Sequence, residues 1–98
     1  MNIKTWLETT GESVAEDVFQ DAVELPHIVF NDEIERFGAD SKLLCSTHNI
    51  TVERYSDGTG DEAIEALLEE EVFEYSKTRI WLDDEQCFMT TYEFNYTE

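Results

Sequence analysis

The sequence predicts an α+β fold: a largely antiparallel or mixed β-sheet with helices packed on one face. Three observations lead there. Near the C-terminus Phe88, Thr90, Tyr92 and Phe94 alternate with Met89, Thr91, Glu93 and Asn95, the period-two pattern of a half-buried strand. Residues 61–71 place Ala63, Ile64, Leu67 and Leu68 on one face of a helix, with Glu62, Glu65, Glu69 and Glu70 around the rest. The chain has 98 residues with six Phe, four Tyr and two Trp against one Pro and four Gly, so it is aromatic enough for a core and short enough to be read as a single domain, 1–98.

The elements follow in order. Residues 2–9 read as a short helix, with Ile3, Trp6 and Leu7 at helical spacing and Thr9, Thr10 and Gly11 ending it. Residues 12–24 are open between a second helical turn, capped by Ser13, and a loop: Val14, Val18 and Ala22 recur every fourth position. Residues 25–30 read as a strand, because Ile28, Val29 and Phe30 are strand formers and Pro26 fits a strand start or an edge. Asn31-Asp32 is a turn candidate, 34–37 a short returning strand, and Gly38 to Ser41 a loop. Residues 43–55 form the next strand, with Ile50 and Val52 alternating with Thr51 and Glu53. Residues 56–60, Ser-Asp-Gly-Thr-Gly, are the clearest break. The helix over 61–71 follows, capped by Thr59 or Asp61, with acids in its first turn that suit the dipole. Residues 72–75 are a connection or strand start. Residues 78–82 and 87–95 are strands joined by a hairpin loop at Asp83, Asp84, Glu85 and Gln86. The expected core is Trp6, Leu7, Ile28, Phe30, Ile50, Val52, Ile64, Leu67, Leu68, Ile80, Phe88, Tyr92 and Phe94.

Charge narrows the function. With 24 Asp+Glu against 6 Lys+Arg the net charge is -18, so no cationic stripe for phosphate is available and direct nucleic-acid binding is not expected. Anionic membrane surfaces are disfavoured for the same reason, and no stretch reaches the roughly 18 apolar residues of a membrane span. Residues 1–7 lack the apolar run of a signal peptide, and Cys45 and Cys87 are expected as free thiols.

Chemistry-bearing motifs are weak. Gly58-Thr59-Gly60 lacks the length and the Lys of a phosphate loop. Cys45 and His48 give half of a metal-ligand spacing, with His27 and Cys87 as distant partners, and Asp57, Asp61 and Glu62 do not complete a calcium loop. The acidic runs at 69–71 and 83–85 read as solvated surface rather than tuned carboxylate pairs. The expectation is a non-enzymatic protein without metal or cofactor. Its charge exceeds the magnitude of roughly 2–8 that keeps a small domain soluble. Two uses fit: a DNA mimic or inhibitor that occupies the basic groove of a host DNA-binding protein, or part of a conduit whose acidic lining keeps DNA from sticking.

Five stretches, in order, resemble one family. Leu25-Pro26-His27-Ile28-Val29-Phe30 is similar to an "LPYIVY" strand, with His27 in place of the usual aromatic. Gly38-Ala39-Asp40 resembles an "ADN/ADD" turn and Ile50 to Ser56 a "VELYT/S" strand. Phe73-Glu74-Tyr75 with Thr78, Ile80 and Asp84-Glu85 resembles "YEK…W-IxSE", and residues 89–94 resemble "VYEF". These belong to small minor structural proteins of tailed phages and prophages of Gram-positive bacteria. The resemblance implies a tail terminator or head–tail connector component, located in the virion at the tail or head–tail junction. It implies a homo-oligomer, a hexameric ring, with the major tail-tube protein and a head-completion protein as partners. The surface expected to carry these contacts is Glu33 and Arg36 on a β-arm, Asp57 in the second loop, and Asp83, Asp84, Glu85 and Gln86 at the hairpin tip.

Overall fold

The computed structural model describes residues 2–39, 42–71 and 74–97, and among them the fold is α+β, with a mixed five-stranded sheet and two short helices. Helix α1 is Ile3–Glu8 and α2 is Glu62–Glu70; the strands are β1 Ser13–Glu16, β2 His27–Ala39, β3 Lys42–Ser56, β4 Ser76–Leu82 and β5 Cys87–Thr97. The sheet order is β1-β2-β3-β5-β4. β1 runs parallel to β2, and every other pairing is antiparallel.

Helix α1 begins where Asn2 caps it, its side-chain oxygen accepting from the Thr5 N–H at 3.0 Å. It stops because the Thr9 and Thr10 hydroxyls donate to the carbonyls of Trp6 and Leu7, and Gly11 turns the chain at φ +87°. Helix α2 starts at Asp61, whose side chain makes no capping bond and is used elsewhere.

The alternation in the strands sends one set of side chains toward both helices. Val14, Ile28, Phe30, Ile50, Val52, Tyr92 and Phe94 pack against Ile3 and Leu7 of α1 and Ile64 and Leu68 of α2. Trp6 meets Phe94 edge-on at 5.9 Å, and Tyr75 meets Tyr92 at 5.8 Å. The aromatic face expected of the last strand is therefore the inward one.

Several expectations are corrected. Residues 13–16 form strand β1 rather than a helical turn, with Val14 alone reaching the core. Asn31-Asp32 does not turn: β2 continues through it, paired residue for residue with β3, so 34–37 prolongs β2 instead of returning. Gly38 and Ala39 lie within β2, with a register shift between Phe37 and Gly38; Asp40, Ser41, Val72 and Phe73 lie outside the described residues. Ile80 is not core, because β4 is the outermost strand and α2 does not cover its far face. Leu67 and Phe88 are half-buried and Ala63 is exposed.

The long β2–β3 pair shapes the molecule. Among the described residues β5 reaches Thr97, opposite Thr47, and beyond that point β2 and β3 pair only with each other out to Ala39 and Lys42. This two-stranded arm stretches the chain to 51 × 29 × 22 Å and a radius of gyration of 14.9 Å. A compact chain of this length has about 13 Å.

Candidate functional site

The expected interface residues divide between the two ends of the sheet. Ser56 at the end of β3 faces Phe88, which faces Trp81, so the 57–60 loop and the 83–86 hairpin tip leave the same end. Asp57, Asp83, Asp84, Glu85 and Gln86 therefore share one pole. Glu33, opposite Asn49 in the body of the sheet, and Arg36, at the start of the arm, are exposed and belong to the opposite half, toward which β2 and β3 extend.

The loop pole is built on a buried cation. Arg54 follows Ile50 and Val52 in the inward phase of β3 and is 3 % exposed. Its Nε and Nη2 donate to the two carboxylate oxygens of Glu12 at 2.9 and 2.7 Å. Nη1 donates to the Thr59 carbonyl at 2.7 Å and to Asp61 Oδ1 at 2.9 Å. This is the bidentate geometry that suits guanidinium and no other cation. Burial disfavours the charge, but the hydrogen bonds and charges of Glu12 and Asp61 outweigh it and hold the Arg54 pKa above its ordinary value. The second Asp61 oxygen accepts from Thr90 Oγ1 at 3.2 Å. Lys77 bonds Glu65 at 3.0 Å, and Glu65 also accepts from the Tyr92 hydroxyl at 2.9 Å. The network ties the α1–β1 connection, β3, the 57–60 loop, α2 and β5 together, with no buried side-chain polar atom among the described residues left without a partner.

The loop itself is closely fitted. Gly60 sits at φ +90°, and a Cβ there would lie 2.6 Å from Arg54 Nη2. Gly58 sits at φ +106°; its carbonyl accepts from Arg79 Nη2, and Arg79 lies 4.5 Å over the Phe88 ring. Asp57 accepts from the hydroxyl and then the N–H of Thr59, which lower its pKa. At the hairpin tip Gln86 has φ 52° and its side-chain amide donates to the Asp83 carbonyl at 2.5 Å.

Behind the sheet, the 17–26 segment crosses the face opposite the helices and leaves an open cleft of about 490 Å³. Phe19 meets His27 edge-on at 5.4 Å, and His27 stacks on Tyr55 at 4.9 Å. Four carboxylates, Asp17, Asp21, Glu53 and Glu85, line the cleft with these rings. Burial first, then the charges of Glu53 and Glu85, push the Tyr55 hydroxyl up; burial and Glu85 push up the Cys87 thiol, which makes it a poor nucleophile.

At the root of the arm, His48 Nδ1 lies 2.9 Å from Asp32 and its ring stacks on Tyr96 at 4.6 Å. His48 is thus a packed strand residue. Both cysteines are free, Cys45 opposite Phe37 on the arm and Cys87 at the loop pole. Among the described residues no three His, Cys, Asp or Glu side chains are grouped to hold a metal, and Asp57 and Asp61 point to different partners.

Strand β4 lies outside the expected interface residues. All of it from Ser76 to Trp81 is exposed, Ile80 at 44 % and Trp81 at 48 %. Its sequence, Ser-Lys-Thr-Arg-Ile-Trp-Leu, holds two of the chain's six Lys+Arg and no acid.

No helix among the described residues is long and apolar enough to cross a membrane. No family model matches the chain, and no curated protein matches it.

Proposed function

We propose that this chain is a non-enzymatic structural protein of a tailed phage or prophage, a tail terminator or connector component that forms a ring between tail tube and head. The observation that carries the reading is the ordered resemblance of five stretches, whose described residues fall on β2, β3, β4 with its hairpin tip, and β5. They touch four of the five strands rather than one loop.

Charge placement supports it. Arg54 is buried against Glu12 and Asp61, and Lys77 and Arg79 bond to Glu65 and the Gly58 carbonyl, so the remaining surface keeps the strongly acidic balance of 24 Asp+Glu against 6 Lys+Arg. In a ring such a surface repels DNA from the lumen wall and lets it pass without adhering. The elongated subunit, with acidic loops at one pole and an arm at the other, offers separate ends for a tube protein and a head-completion protein.

The test is co-purification of the tagged chain with the tail-tube protein encoded in the same genome, together with mass spectrometry of purified virions. The reading expects tube-protein capture and presence in virions at low copy. Absence from virions, with capture of a host DNA-binding enzyme instead, establishes the DNA-mimic alternative.

A further inference from the structure

The two faces of the sheet differ in charge. In strand phase Arg36, Arg54, Lys77 and Arg79 fall on the side that meets the helices, whereas Glu33, Glu35, Glu53 and Glu93 fall on the far side. Carboxylates drawn below the surface on the helix side each have a partner: Glu12 and Asp61 hold Arg54, Glu65 holds Lys77, and Asp32 meets His48. Glu53 is the exception among the described residues. It is half-buried, opposite Val29 and Thr91, and makes no ion pair; its carboxylate bonds the Tyr55 hydroxyl. Glu53 lines the cleft beside the 17–26 segment, joined by Asp17, Asp21 and Glu85, and no Lys or Arg is in the lining. Between the carboxylates stand rings: Phe19 meets His27, and His27 stacks on Tyr55. Cys87, 3 % exposed and with its thiol hydrogen-bonded to no described residue, adds a polarisable sulfur to the same lining. At about 490 Å³ the cleft is within the range of about 300–1,000 Å³ for ligand sites.

We propose that this cleft receives an arginine side chain presented by a partner protein. Charge complementarity names a cation: four carboxylates that share a cleft repel one another, and a positive group between them relieves the repulsion and is attracted by each. The carboxylates are not grouped to close on a metal ion. The rings select the kind of cation. A guanidinium is planar and weakly hydrated, stacks on aromatic side chains and donates two parallel bonds to one carboxylate, whereas an ammonium is a compact, strongly hydrated point charge. The same chain already holds one guanidinium between two carboxylates, at Arg54. Val18, Val23 and Leu25 in the lining give the aliphatic stem an apolar wall. Arginine is among the side chains that anchor protein interfaces from within pockets. The acids around the cleft on the far face steer a basic partner toward it. The site stands on the geometry of the cleft, whether or not the chain forms a ring.

The experiment follows the amide NMR signals of the whole chain while a blocked peptide, acetyl-Gly-Arg-Gly-amide, is added. The expected result is saturable shifts confined to residues 17–29, 53–55 and 85–87. The same peptide with citrulline, which keeps the shape and removes the charge, is expected to bind at least tenfold more weakly, and the lysine peptide more weakly than arginine. Glu53→Gln, which keeps the volume, is expected to weaken binding at least fivefold with circular dichroism unchanged. Asp21→Asn, exposed and outside the sheet, reads the same site if Glu53→Gln disturbs the strand. Glu70→Gln removes the same charge from the exposed side of α2 and is expected to leave binding unchanged. Methylguanidinium, the charged head without stem or backbone, is expected to bind at least fivefold more weakly than the arginine peptide; equal binding overturns a protein as the source. Equal or tighter binding of the lysine peptide overturns the guanidinium. Unsaturable shifts spread over the acidic surface, equal binding of the citrulline peptide, or an equal loss from Glu70→Gln overturns the site. The titration needs no tail-tube protein, so its failure leaves the ring reading standing.

Discussion

Replacing Arg54 by Met removes the centre of the loop pole while keeping the length of its stem. Four hydrogen bonds are lost, two to Glu12 and one each to Thr59 and Asp61. Glu12 and Asp61 remain with side chains 15 % and 11 % exposed and without their main counter-charge. Removing one partner of a buried ion pair costs about 3–5 kcal/mol, because the desolvated charge left behind is uncompensated. At about 4–8 °C per kcal/mol for a domain of this size, melting falls by roughly 12–40 °C. That is a large part of the roughly 5–15 kcal/mol that holds such a domain folded. Urea unfolding followed by circular dichroism measures it. Arg54→Lys is expected to fall between Met and wild type, since an ammonium cannot give Glu12 two parallel bonds. A double-mutant cycle with Glu12→Gln isolates the pair. A loss below about 1 kcal/mol for Arg54→Met would refute the network as the organiser of this pole.

Three further outcomes follow from the same geometry. Gly60→Ala places a Cβ 2.6 Å from Arg54 Nη2 at φ +90° and is expected to cost more than about 1 kcal/mol in the same unfolding assay, whereas Gly11→Ala, at φ +87° with open space around it, is expected to cost less than Gly60→Ala. Burial first, then the hydrogen bond to Glu65, raises the Tyr92 pKa far above its ordinary 10.0; the unfolded state ionises first, so stability is whole below about pH 10 and falls as pH rises further, a loss that Tyr92→Phe reduces at a cost of about 0.5–1.5 kcal/mol at neutral pH. Lys77, raised by its hydrogen bond to Glu65, adds a loss of the same sign above its ordinary 10.5, so the alkaline limb of Lys77→Met is expected to be shallower than wild type.

Periodicity carried the fold where one face of an element is covered. Ile64 and Leu68 of α2, and Tyr92 and Phe94 of β5, are inward as their spacing requires. It failed where tertiary pairing overrides a local signal. Asn31-Asp32 has turn chemistry, but β3 continues opposite both residues and supplies backbone partners that hold β2 extended. β1 was hidden because only Val14 of its four residues enters the core, so no alternation could be read. Ile80 was assigned inward on composition; edge position is a property of strand order, which the local pattern does not contain. The buried Arg54 was partly legible, since it continues the inward phase of Ile50 and Val52. Its partners Glu12 and Asp61, 42 and 7 positions away, were not. The expected interface residues are all on the surface, but their division between two poles follows from register and from the length of the arm.

Assembly is the central claim, and native mass spectrometry of the chain mixed with the tail-tube protein from the same genome tests it most directly. The account predicts a closed oligomer of one fixed copy number that carries tube protein. A chain that remains strictly monomeric across concentration, with the tube protein free beside it, would contradict it.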